Sequence, residues 1–384
     1  MAFVRTGAVL VAALLLAATP GLAAGAGDVG SLPTVPQTSS SGTCTKPSTK
    51  TVNNIPWPQV RLDPQRVWQF TQGAGVTVAV VDSGVDSSGG SPLAGQVGNS
   101  SKGDCTGHGT FVSGLIAARP RPGVGFSGLA PAVHLLAQQV TAADGTATAA
   151  AIAKGIQTSV DDGAGVVVVT ATVATPSSVL ADAVKYAARR NAVVVAPATD
   201  DAGNALAYPA QYSGVLSAAA VGPDGSTARL QVAPRIDLVA PGLSVMSVGP
   251  GGSGAFTGSG ASFAAAYVGA AAALVRSYRP DLTAAQVVFR LESTAYAPAG
   301  SLPDRSLGFG NLDVFGAVTQ LPAGPVARVR QHAPQVPNHL AVAQSSHAPG
   351  ESLAVAGAAL LLIAVAGAAA LVVPRGRARG WRAP

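Results

Sequence analysis

The 384-residue sequence predicts an α/β fold in which a parallel β-sheet carries helices on both faces. Two features point there. Short runs of β-branched residues recur through the middle of the chain, and stretches of helical length separate them, the alternation that builds parallel sheets through crossover helices. Composition agrees, because 48% of residues are apolar and only 11% charged, enough material for one large core.

The elements follow in chain order. VTVAVV at Val76 to Val81 reads as a strand entered after Gly73 and Gly75, and a second runs from Val133 to Val140 after Pro131. Val166 to Val169 and Ala192 to Val195 are two more β-branched runs. Helices are expected over Thr148 to Asp161 and Val179 to Arg189. In LTAAQVVFRLEST, Thr283 and Gln286 have capping-box spacing and open a late helix. The domain, taken as residues 71–320, closes near Thr319, and residues 321–350 form a proline-rich linker without periodicity.

Both ends are expected outside this domain. Residues 1–26 carry Arg5, an apolar run and then small residues, the layout of an export signal. Residues 27–70 form an N-terminal extension. Within 351–374, Leu353 to Val373 are free of charge and long enough at 1.5 Å per residue to cross a bilayer. The arginines of the tail 375–384 follow directly, a flank that stays cytoplasmic and leaves the domain on the extracytoplasmic side of the cell membrane. The alternative for the apolar run is a buried alanine-rich helix. For an exported chain, the lone pair Cys44 and Cys105 reads as a disulfide that staples the extension to the domain, against two unpaired thiols.

Several function classes are excluded. The net charge of +6 arises from scattered residues, with no basic stripe interleaved with aromatics, so nucleic acid is not an expected partner. Only His108 and His134 fall inside the domain, so no metal cluster is expected, and no glycine-rich phosphate loop calls for a nucleotide cofactor.

Three residues carry chemistry. Asp82 ends the first strand in VAVVDSGVD, at the sheet edge where α/β folds place their sites. His108 lies between glycines in DCTGHGTFVSGLIAA at a helix start, and Ser262 opens another helix in GSGASFAAAYVGA. Taken singly, each has a plainer reading: a turn residue, a core donor, a small packing residue. Together they supply the nucleophile, the base and the orienting carboxylate of serine acylation.

These blocks resemble the subtilisin-like serine proteases: DSGV around Asp82, GHGT with VSGLIAA around His108, and GASFAAAYVGAAAALV around Ser262. FSGLAPAVHLLAQQV and IDLVAPGLSVMS fit the same alignment. The extension with Cys44, the stretch PWPQVRLDPQRVWQFTQGAGVTVAVVD, Cys105 beside the His108 block, the linker and the C-terminal span are similar to the mycosins, membrane-anchored proteases associated with type VII secretion in actinobacteria. The resemblance implies a subtilisin-like fold, endopeptidase activity through Asp82, His108 and Ser262, a peptide or protein substrate, and a type VII secretion membrane complex as partner.

The sequence also departs from that pattern. Asp200, in VVVAPATD, stands where the family has an asparagine that donates to the oxyanion, and losing such a donor costs about 100- to 1000-fold in rate. Asn204 could substitute if the loop were re-threaded. Ala261 replaces the threonine before the nucleophile, and Ala266 the proline after it. The substrate-lining stretch is Thr172, Val173 and Ala174, without glycine, and a second disulfide common among mycosins is missing. Two readings stay open: a slow or selective protease, and a structural component of a secretion complex in which the triad persists but turnover does not matter.

Overall fold

The computed structural model describes residues 32–36, 43–98, 103–203, 205–227 and 233–320. All of these fall in the first of two compact units, residues 1–322. The predicted signal segment, the linker, the span 351–374 and the tail lie outside the described residues. No helix among the described residues is long and apolar enough to cross a membrane.

A six-stranded parallel sheet forms the centre, built from β1 (Thr77–Asp82), β2 (His134–Gln139), β3 (Val166–Val169), β4 (Val193–Pro197), β5 (Val215–Val221) and β6 (Leu238–Pro241). Their spatial order is β2-β1-β3-β4-β5-β6. The chain runs from β1 to β2 on one side, then returns to β3 on the other. The strand order therefore reverses at β1, and a crevice opens between the carboxyl ends of β1 and β3.

Alternation along the strands assigns the two faces. Val78, Val80, Val166, Val168, Val193 and Val195 pack on α3 (His108–Ala117) and α6 (Ala261–Tyr278). Ala79, Val81, Val167, Val169, Val194 and Ala196 pack on the opposite face, against α4 (Ala149–Asp161) and α5 (Ser178–Arg189). Because side chains alternate with a period of two, Asp82 at the end of β1 and Thr170 just after β3 share parity with the first set. Sequence alone thus delivers both polar groups to the α3/α6 face.

The helices begin where their sequences allow. Thr148 caps α4 by accepting from Ala151 N, and at α7 (Ala284–Thr294) both halves of the expected Thr283/Gln286 capping box form. Helix α6 is buried from Ala261 through Val275 and lies close enough to the sheet that a Cβ on Gly269 would stand 2.3 Å from Val168 Cγ2. Small residues permit that approach. A hairpin of β7 (Val245–Val248) and β8 (Ala255–Gly258) packs beside α3.

The described part of the N-terminal extension runs over this hairpin. Val35 N donates to Thr257 O at 2.9 Å, Thr257 N to Pro33 O at 2.9 Å, and Ala255 N to Lys50 O at 2.8 Å. The chain continues through two short helices, α1 (Trp57–Leu62) and α2 (Pro64–Trp68), with Trp68 Nε1 donating to Leu129 O at 2.9 Å. A disulfide joins Cys44 to Cys105 across 61 positions, and Thr45 reinforces it through N to Cys105 O at 2.7 Å and Oγ1 to Thr106 O at 2.6 Å. Closing a loop of this length restricts the unfolded chain by up to about 4 kcal/mol. Replacing both cysteines by serine is therefore expected to lower the unfolding free energy by about 2 to 4 kcal/mol in denaturant titration.

Candidate active site

Asp82 ends β1 with its carboxylate buried on the α3/α6 face, 2% of the residue being exposed. Its Oδ2 accepts from His108 Nδ1 at 2.7 Å and from the Thr170 hydroxyl, and its Oδ1 accepts from Ser83 N at 2.5 Å. Burial alone would raise the carboxyl pKa. The His108 charge opposes it, the donors add to that, and the net position is below the ordinary carboxylate value.

His108 is the first residue of α3, and its two glycines have separate tasks. Gly107 holds the N-cap at φ 83°, a left-handed conformation that L side chains rarely adopt. Gly109 admits close backbone: a Cβ there would sit 2.1 Å from Gly84 O and 3.1 Å from Asp82 Cβ. A side chain at Gly107 would be strained, and one at Gly109 would collide with the backbone beside Asp82.

Asp104, unassigned in the sequence reading, organises this helix entry. Its carboxylate accepts from Gly107 N at 2.8 Å, Thr110 N at 2.7 Å, Thr110 Oγ1 at 2.7 Å and Ser83 Oγ at 2.8 Å. Ser83 Oγ in turn accepts from Gly109 N at 3.0 Å. Burial nevertheless raises the Asp104 pKa, helped by the nearby Asp82 charge. The only hint in the sequence was its place in DCTGHGT, and Thr170 likewise carried no signal beyond ending the VVVV run.

Ser262 is the second residue of α6 and 2% exposed, with the Phe263 ring packed 5.5 Å from the His108 ring. Its backbone N–H donates to Asp201 Oδ1 at 2.7 Å. The other oxygen, Asp201 Oδ2, lies 3.0 Å from His108 Nε2. His108 thus stands between two carboxylates, and among the described residues no hydrogen bond joins its ring to the Ser262 hydroxyl. Burial, the largest single influence, would lower the imidazole pKa, but the Asp82 charge, the Asp201 and Asp82 hydrogen bonds and the Asp201 charge together push it well above the ordinary histidine value.

Asp200 and Asp201 both line the cleft beside Ser262. Asp200, expected at the oxyanion position, closes the β4–β5 turn: its carbonyl accepts from Gly203 N at 2.9 Å and its Oδ1 from Ala205 N at 3.0 Å. Asp201, one residue on, reaches His108 and Ser262, and Gly260 makes room for it, since a Cβ there would lie 2.3 Å from the Asp201 carboxylate. Asn204 lies outside the described residues. Ala261 and Ala266 are both buried in α6.

A cleft of about 400 Å³ opens beside these groups, lined on one wall by Thr172, Val173 and Ala174 and on another by Thr141 and Gly145–Ala147, a wall that the sequence reading did not name. Val173 pairs with Tyr208, N to O at 3.2 Å and O from N at 2.9 Å. Thr172 and Ala174, on either side of this isolated bridge, also line the cleft. None of the described residues of the N-terminal extension lines the cleft.

Residues 73–310 match the subtilase family, peptidase S8. The chain belongs to this family. The subtilase is 31% identical to Mycosin-1 of Mycobacterium tuberculosis over 74% of its own length and 78% of the relative's. It is similar in fold to the crystal structure of MycP1 from the ESX-1 type VII secretion system, with TM-score 0.64, 27% identity, and coverage of 78% and 97% of the two chains. A similar match, with TM-score 0.64 and 26% identity over 78% and 94% of the chains, is to a chain in the periplasmic assembly of the ESX-5 inner membrane complex. It is therefore a subtilisin-like serine protease by family, related to the mycosins of type VII secretion.

Two predictions test the polar frame of this subtilase. Thr170→Val removes a donor to the buried Asp82 carboxylate and is expected to cost about 1.5 to 3 kcal/mol of stability, read by denaturant titration near neutral pH. His108 has a raised folded-state pKa, so its charge stabilises the fold fully below about pH 6.5, the unfolded value, and loses that contribution as pH rises through the folded value. The stability difference between the native chain and His108→Ala should be largest below pH 6.5 and shrink at alkaline pH in thermal melts across that range.

Proposed function

We propose that this subtilase is an exported, membrane-anchored serine endopeptidase that cleaves peptide bonds through Asp82, His108 and Ser262. The observation that carries the reading is the buried Asp82–His108 pair at the strand-order reversal, with Ser262 at the entry of a helix packed against the same imidazole. Asp82 holds Nδ1–H and leaves Nε2 as the nitrogen that exchanges a proton. A substrate strand would lie along Thr172–Ala174, pairing with the backbone groups that face the cleft. Ser262 Oγ attacks the carbonyl carbon while Nε2 takes its proton; the amide C–N bond then breaks, and Nε2 returns the proton to the leaving amine. Water repeats the cycle on the acyl ester. The Ser262 N–H at the positive end of α6 is the backbone donor for the oxyanion.

The anchoring proposal rests on the sequence: a signal at 1–26, extension 27–70, peptidase domain 71–320, linker 321–350, span 351–374 and cytoplasmic tail 375–384. A place in a type VII secretion membrane complex follows from its mycosin relatives. The second reading, a structural member of that complex with little turnover, is favoured by the Asp201 carboxylate on His108 Nε2.

The deciding experiment is fluorophosphonate labelling and peptide hydrolysis by the purified full-length chain beside Ser262→Ala. Labelling mapped to Ser262, and turnover that falls at least about 1000-fold in the variant, is the expected outcome. A folded native chain that neither labels nor cleaves would favour the structural reading.

A further inference from the structure

We infer that Asp201 is a latch built into the site. It holds His108 in its charged form and occupies the place that the substrate's oxyanion must take. The inference deepens the proposed peptidase reading and rests on it for the inhibitory consequence, whereas the contact itself rests on geometry.

One carboxylate makes both contacts at once. Asp201 Oδ2 lies 3.0 Å from His108 Nε2, the atom that must accept the Ser262 proton. Asp201 Oδ1 takes the Ser262 backbone N–H at 2.7 Å, the donor that must hold the oxyanion. A carboxylate accepts and does not donate, so Nε2 carries a proton in this arrangement, as Nδ1 does toward Asp82. A doubly protonated imidazole has no lone pair for the serine proton, and an oxyanion arriving at Ser262 N–H would meet like charge.

The surroundings are fitted to this contact. The Asp201 side chain is 7% exposed, and Gly260 admits it where any Cβ would collide at 2.3 Å. Asp200 fixes the turn through Gly203 N and Ala205 N, so Asp201 is presented to the site without the loop having to fold around it. The ionisable groups facing His108 are Asp82 from β1 and Asp201 from the β4–β5 turn, with Asp104 one hydrogen bond behind through Ser83 and Asp200 on the same cleft; Ser262 and Phe263 face it from α6. No lysine or arginine lines the cleft among the described residues, so within it Asp201 has only His108 as a cationic partner.

The test uses the full-length chain with Asp201→Ala and Asp201→Asn, both checked for folding by thermal melts. Alanine removes the latch and adds no donor; asparagine removes it and restores one. The His108 resonance, assigned by its loss in His108→Ala, is titrated by NMR with labelled histidine. Its midpoint should fall by about one pH unit or more in both variants, as expected for removing an opposite charge at hydrogen-bond distance. Fluorophosphonate labelling of Ser262 should quicken by about tenfold or more in Asp201→Ala, and by about a further 100-fold in Asp201→Asn. An unmoved His108 midpoint overturns the latch. So does labelling in Asp201→Ala no faster than in the native chain, which would still leave the peptidase reading standing if native labelling depends on Ser262. A lowered midpoint with no labelling of any variant upholds the hold on His108 and overturns the peptidase reading instead.

Discussion

The close seating of α6 on the central sheet governs where everything else in this domain can be. Its first fifteen residues, Ala261 to Val275, are buried, and apart from Phe263, Tyr267 and a few aliphatics they are alanine, glycine and serine. That composition costs most helix propensity at Gly269, where Val168 leaves no space for a side chain. In return the helix axis approaches the strands closely, and its amino end reaches the crevice between β1 and β3. Ser262 comes to the imidazole because small residues farther along the helix let it.

Electrostatics then refines what packing has assembled. Asp82 and Asp201 flank one imidazole, and Asp104 stands behind through Ser83. The three carboxylates are not equivalent. Asp82 has donors and a cationic neighbour that outweigh its burial, Asp104 has donors that do not, and Asp201 has a partner on each oxygen. The α3 entry is stabilised by acceptors aimed at free backbone N–H groups, whereas the α6 entry has its acceptor supplied by a loop from elsewhere in the chain.

Much of this was legible in the sequence because it depends on local pattern. The β-branched runs locate β1 to β4 within two residues at each end, and Thr283 with Gln286 announces α7 through its own hydrogen bonds. The meeting of Asp82 with His108 follows from a strand end and a glycine-framed helix start. What stayed hidden depends on groups far apart in the chain. Strand β5, VLSAAAV, is rich in alanine and carries little strand propensity, so only its neighbours make it a strand. In the pair Asp200–Asp201, the residue that faces His108 is decided by which one closes the turn on Gly203 and Ala205, and no spacing rule tells two adjacent aspartates apart. Thr170 and Asp104 are ordinary polar residues until the sheet and α3 bring them to Asp82 and Ser83.

The order of elements along the chain gives the packing a history. All six strands of the central sheet, from β1 to β6, are complete before the first residue of α6. Until that helix arrives, the valines of one sheet face, Val78, Val80, Val166, Val168, Val193 and Val195, lack the element that covers most of them in the folded domain. Contacts so distant in sequence form slowly, and a half-covered sheet exposes apolar surface while it waits. The helix that completes this face also bears Ser262, so the hydroxyl enters its site only as that face is covered, and a chain that ends before α6 has no nucleophile in place.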